Sequence, residues 1–140
     1  MAYLSLSPLS ATLYTLLNVA GLTALVGSRI YDDIPRSPTY PLVWFEVQEP
    51  RDVRGFGRGG MPEVSIRIHA LTQYQGEKQG QAILAKVIEL LKDQTLTVTG
   101  YQQAGQVFYD ETVVLKDQEI EGVKVQDNVA IFRTYLNEAA

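Results

Sequence analysis

A chain of 140 residues can bury one sizeable core but hardly two, so a single domain spanning 1–140 is expected. The absence of cysteine excludes disulfides, thiolate metal sites and thiol nucleophiles, and a single histidine argues against zinc centres and histidine-based triads. A net charge of −4 and a pI near 4.9 disfavour a general nucleic-acid binder, and no apolar stretch approaches the roughly 20 residues of a membrane span.

In chain order, Ser7-Pro8 reads as a helix cap with proline at the first helical position, where its missing N–H costs nothing. The opening stretch MAYLSLSPLSATLYTLLNVAG lacks the basic start and small-residue cleavage pattern of a secretory signal and is expected to be structural. Leu9, Leu13, Leu16, Leu17 and Ala20 share one helical face, and Gly21 offers a left-handed stop. LTALVG adds a short second turn ending at Gly27, after which the prolines of RIYDDIPRSPTYP predict an extended, irregular connection.

Leu42–Glu49 predicts a strand with Val43, Phe45 and Val47 on one face and Trp44, Glu46 and Gln48 on the other. Beyond a glycine-rich insert the alternation resumes, with Val64, Ile66, Ile68 and Ala70 facing one way and Ser65, Arg67 and His69 the other. The two strands and the insert predict a long antiparallel hairpin. From Glu77 to Asp93, Ile83, Leu84, Val87, Ile88 and Leu91 form the apolar stripe of a helix, with Lys78, Gln81, Glu89 and Lys92 outward. TLTVTG, QVFYDETVVLK and GVKVQDNVAIFRTYL then predict two or three more strands, with KDQEIEGVK as a hairpin turn.

This order predicts an α+β domain, an antiparallel sheet with two helices packed on one face and a long protruding β-hairpin. The opposite sheet face, carrying Trp44 and Arg67, is left free to meet partners.

The insert RGFGRGGMP, residues 54–62, poses three readings. Its glycines satisfy the letters of a dinucleotide fingerprint, but a period-two run follows where a phosphate-binding helix N-terminus is required. As a nucleic-acid arm it offers Arg51, Arg54 and Arg58 with Phe56 as the only aromatic, too few stacking platforms for single strands. As a protein arm it has a counterpart in Asp110, Glu111, Asp117, Glu119, Glu121 and Asp127, an acidic strip that such a tip could reach on an identical neighbour, closing a ring. His69 reads as an exposed or interface imidazole, since no carboxylate or nucleophile can be placed beside it from sequence. Asp32-Asp33 and Asp110-Glu111 read as turn and surface groups, because adjacent side chains point apart. No metal, cofactor or catalytic constellation is expected.

LTALVGSRIYDDIPRSPTYPLVWFEV, a helix end followed by a Leu-Val-Gly-x-Arg-Ile-Tyr motif and a proline-studded connection into a strand, resembles the small tail-completion and tail-terminator proteins of long-tailed bacteriophages. VSIRIHALTQYQGEKQGQAILAKVIELL, a strand, a polar break and an amphipathic helix, is similar too. The resemblance covers roughly residues 9–92 and the C-terminal strands in outline. It implies an α+β structural protein with no enzymatic role, forming a homo-oligomeric, hexameric ring at the tail–neck junction of a virion assembled in the host cytoplasm. Its implied partners are the tail tube protein, whose growth it ends, and a head–tail connector. DNA would pass through the lumen without specific binding, as net acidity suits. Its interface residues would be Arg51, Arg54, Phe56, Arg58, Trp44, Arg67, Glu119 and Glu121. A head-side neck connector, or a nucleic-acid-binding module using the Arg/Gly tip, are the alternatives.

Overall fold

The apolar face that starts at Leu9 forms a helix, but the helix ends before Gly21. In the computed structural model, which describes residues 7–36, 38–47, 51–53, 61–73, 78–96, 98, 101–103, 106–120 and 122–138, α1 spans Ser7–Leu17 and α2 spans Ala20–Val26. Val19 is extended, and its carbonyl accepts from the Leu22 and Thr23 amides at 3.1 and 2.9 Å, so a new helix starts there at 80° to the first. Gly21 therefore lies inside α2 instead of stopping it. The left-handed stop comes at Gly27, with φ 65°, whose amide donates to the Thr23 carbonyl at 2.7 Å. Leu9, Leu13 and Leu17 are buried as the spacing predicts, whereas Ala20 is exposed because the bend turns it off that face. No single helix among the described residues is long and apolar enough to cross a membrane.

α3, Lys78–Leu91, buries Ile83, Leu84, Val87 and Leu91 and exposes Lys78, Gln81, Glu89 and Lys92. Asp93 leaves it in a left-handed conformation, and its amide donates to the Val107 carbonyl at 3.0 Å, tying the helix end to the strand that follows.

Among the described residues seven strands form one sheet. These are β1 (Ile30–Tyr31), β2 (Leu42–Val47), β3 (Arg51–Val53), β4 (Met61–Thr72), β5 (Tyr101–Gln103), β6 (Phe108–Ile120) and β7 (Val123–Glu138). β4 lies between β2 and β7, β3 extends the β2 side along β4, and β5 and β6 both pair with β7. Every pairing is antiparallel except β1 with β2, so the sheet is mixed and the fold α+β. Among the described residues three helices, not two, accompany it, the bend at Val19 having divided the first. The expected hairpin is paired along both its arms, Leu42↔Leu71 through Val47↔Ile66 and Arg51↔Glu63 through Val53↔Met61. Its tip, residues 54–60, lies outside the described residues. The second hairpin turns where KDQEIEGVK predicts, with Ile120 opposite Val123 and Gly122 at φ 79°.

All three helices cover one sheet face. Leu9, Leu13, Leu17, Leu22, Val26, Ile83 and Leu91 pack there on Val43, Phe45, Ile66, Ile68 and Phe132. Each such aliphatic side chain contributes about 2 kcal/mol relative to exposure. The opposite face is less bare than the alternation alone suggests. Leu42, Leu71 and Val125 form a second small cluster there, against which the proline-rich connection packs Tyr31, Ile34 and Tyr40, with Trp44 beside them.

Candidate assembly surface

Alternation along β2, β4 and β7 places one residue from each strand side by side on the helix-free face. In register, Trp44 faces His69 and His69 faces Val129, while Glu46 faces Arg67 and Arg67 faces Ile131. The row places His69 between two carboxylates. Its Nδ1 lies 2.9 and 3.0 Å from the two Asp127 carboxylate oxygens, and its Nε2 lies 2.7 Å from Glu46 Oε2. The Trp44 ring stacks on it at a centroid distance of 4.3 Å, and Trp44 Nε1 donates to the Asp32 carbonyl at 3.2 Å. Only 7% of His69 is exposed.

Of the expected exposed or interface imidazole, this corrects the exposed alternative, and it supplies the carboxylates that sequence could not place beside the ring. Glu46 is on the neighbouring strand and Asp127 is 58 residues further along the chain, so the spacing of the primary sequence carries no sign of the cluster. Ionised carboxylates only accept hydrogen bonds, so both contacts are satisfied together when the ring is doubly protonated. Burial alone would lower the His69 pKa; the hydrogen bond and charge of Asp127, then those of Glu46, outweigh it and move it above the ordinary 6.5. The evident work of the cluster is to clamp β2, β4 and β7 together.

Of the expected interface residues, Trp44 is half-buried in this clamp. Arg67, on the same face, is half-buried too, and its Nε is shielded from solvent without a hydrogen bond among the described residues. Glu119 is exposed opposite Lys124 near the β6–β7 turn. Arg51 pairs through its backbone with Glu63; its side chain, together with Arg54, Phe56, Arg58 and Glu121, lies outside the described residues. The acidic strip is partly dissolved by internal pairing. Asp127 belongs to His69, and Asp110 Oδ1 lies 3.0 Å from Arg133 Nε, a charge contact rather than a directed hydrogen bond. Arg133 also sits 5.2 Å above the Phe108 ring, and Tyr135 donates to Glu63 across β4 and β7 at 3.2 Å. Among the described residues no group of three or more histidine or acidic side chains is placed to hold a metal ion.

A family model described as tail completion protein gp17 matches residues 11–131. The chain belongs to that family. As a tail completion protein of this family it is a structural tail component, which suits a surface organised by ion pairs and packing. The fold is similar to a chain in a solved structure, the virion of a native gene transfer agent particle, at 21% identity and a TM-score of 0.72. The match covers 94% of this chain and 95% of that one. No curated protein matches the chain significantly.

Proposed function

We propose that the protein forms a homo-oligomeric ring, hexameric by the family resemblance, that caps the tail tube, ends its polymerisation and offers a docking surface to a head-side connector. The observation that carries this reading is the tail completion match across residues 11–131. The role requires no bond to be made or broken. One face of the ring must match the last tube ring and the other must not, which is a problem of complementary and mismatched surfaces. A net charge of −4 per subunit suits a lumen through which DNA slides without being gripped.

Arg51, Arg54 and Arg58 would reach carboxylates of a neighbouring subunit, Glu119 and Glu121 among them. Mixing purified protein with tail tubes and imaging by negative stain should show rings at one tube end and tubes that grow no further. Binding to portal-bearing heads instead would reassign it to the head side of the neck. Salt-sensitive retention of DNA or RNA at about 50 mM salt would favour the Arg/Gly tip as a nucleic-acid arm. Failure to associate with itself and with any tail component would end the proposal.

A further inference from the structure

From Ser7 to Ser28 the chain carries no charged side chain, although α1 and α2 have a solvent side. That side presents Ala11, Tyr14, Thr15, Ala24 and Leu25, with Tyr14 43% and Leu25 41% exposed. α3 packs on the same sheet face and shows what a solvated helix looks like here, with Lys78, Glu89 and Lys92 outward. Lys86 of α3 reaches over Gly21 and is paired with Glu89, so the two helices themselves expose aromatic and aliphatic groups without a charge of their own, a composition that marks an interface core.

The remaining exposed large hydrophobics among the described residues, Phe108 at 40% and Leu115 at 41%, lie across the sheet on the helix-free side of β6. Val113 falls between them, and Val129 and Ile131 stand beside them on β7. The charges on this strip are largely answered within the subunit, Arg133 by Asp110 and Asp127 by His69. Glu111 stays exposed, and so does Tyr14, whose hydroxyl is an uncharged donor.

We propose that these two surfaces meet between copies, α1–α2 of one subunit packing on the β6–β7 face of the next. This rests on the ring reading and specifies its interface. A strongly charged partner laid on α1–α2 would lose hydration and find no counter-charge on those helices, Lys86 beside Gly21 being already paired with Glu89. A second copy supplies a nearly neutral apolar surface of the required kind. Because the two patches lie on opposite faces of one sheet, the contact is head-to-tail, the class of contact that generates rings. A two-fold dimer through either patch would leave the other bare.

The chain has no cysteine of its own, so single thiols report on the contact cleanly. Leu25→Cys and Leu115→Cys proteins, mixed and treated with a short bismaleimide, should give the mixed dimer, and either alone should give little. Leu25→Lys and Leu115→Lys should each weaken the oligomer by at least about tenfold in mass photometry, with unchanged far-UV circular dichroism. Intact rings from both lysine variants, or thiol pairs formed equally well by each variant with itself, would overturn this interface and leave the ring standing. A wild-type chain that stays monomeric at every concentration would overturn the ring itself, and this contact with it.

Discussion

Replacing Asp127 with asparagine should cost the fold more than replacing Glu46 with glutamine, although both carboxylates bond the same imidazole. The side chain of Asp127 is 13% exposed and that of Glu46 is 38% exposed, so water screens the second pair and not the first. At about pH 6, where the imidazole is charged, Asp127→Asn should cost about 2–3 kcal/mol as a buried charge-assisted bond is lost. Glu46→Gln should cost less than about 1 kcal/mol. The folded pKa of His69 lies above its ordinary 6.5, so its contribution is complete below that value and is lost as pH rises through the folded pKa. Each unit of that elevation corresponds to about 1.4 kcal/mol. Both penalties should therefore shrink toward high pH, since neutral imidazole gains little from either carboxylate. Urea unfolding between about pH 6 and about pH 9 measures the energies, in a window set by the imidazole range. Trp44 is the only tryptophan and stacks on the only histidine, so its emission reads the same titration locally and should rise as the quenching imidazolium is lost. Equal costs for the two variants at about pH 6, or stability and emission both flat across the range, would refute the doubly bonded imidazolium.

Two glycines make a paired test. A Cβ at Gly80 would lie 2.1 Å from Asn128 Nδ2, a buried group that donates to the Ala70 carbonyl at 3.1 Å, so Gly80→Ala should destabilise by about 2–4 kcal/mol in urea unfolding. A Cβ at Gly21 would meet Lys86 Cε at 2.3 Å, the mobile end of a long side chain, so Gly21→Ala should be neutral or stabilising by up to about 1 kcal/mol. Gly122 has open space around it but φ 79°, so Gly122→Ala should lose about 1 kcal/mol through backbone strain alone, and Gly122→Asn should recover part of it in the same assay.

Period-two patterning located β2, β4, β6 and β7 because one face of each is pressed into the core while the other meets a polar or partly covered surface. The stripe of α3 was legible for the same reason. Gly21 misled as a helix stop, since glycine only permits a left-handed turn, and the new helix that starts at Val19 carries it in ordinary helical conformation. The break at Val19 carries neither glycine nor proline. Leu96 and Val98 alternate as a strand would, yet neither lies in one, and both are buried in the main core. The cluster around His69 depends on a register linking β2, β4 and β7, which local pattern does not encode. Charge depletion from Ser7 to Ser28 was present in the sequence throughout. It acquired meaning once the solvent side of α1 and α2 could be told from the buried side.

β7 joins the sheet by pairing with β4 on one edge and with β5 and β6 on the other, and it is translated after every other strand. A nascent chain still on the ribosome can assemble the β2–β4 hairpin locally, but the wide sheet must wait until the last strand has left the exit tunnel. Until then β4 and β6 expose unpaired edges, so the folding subunit is expected to be most vulnerable to misassociation before β7 docks.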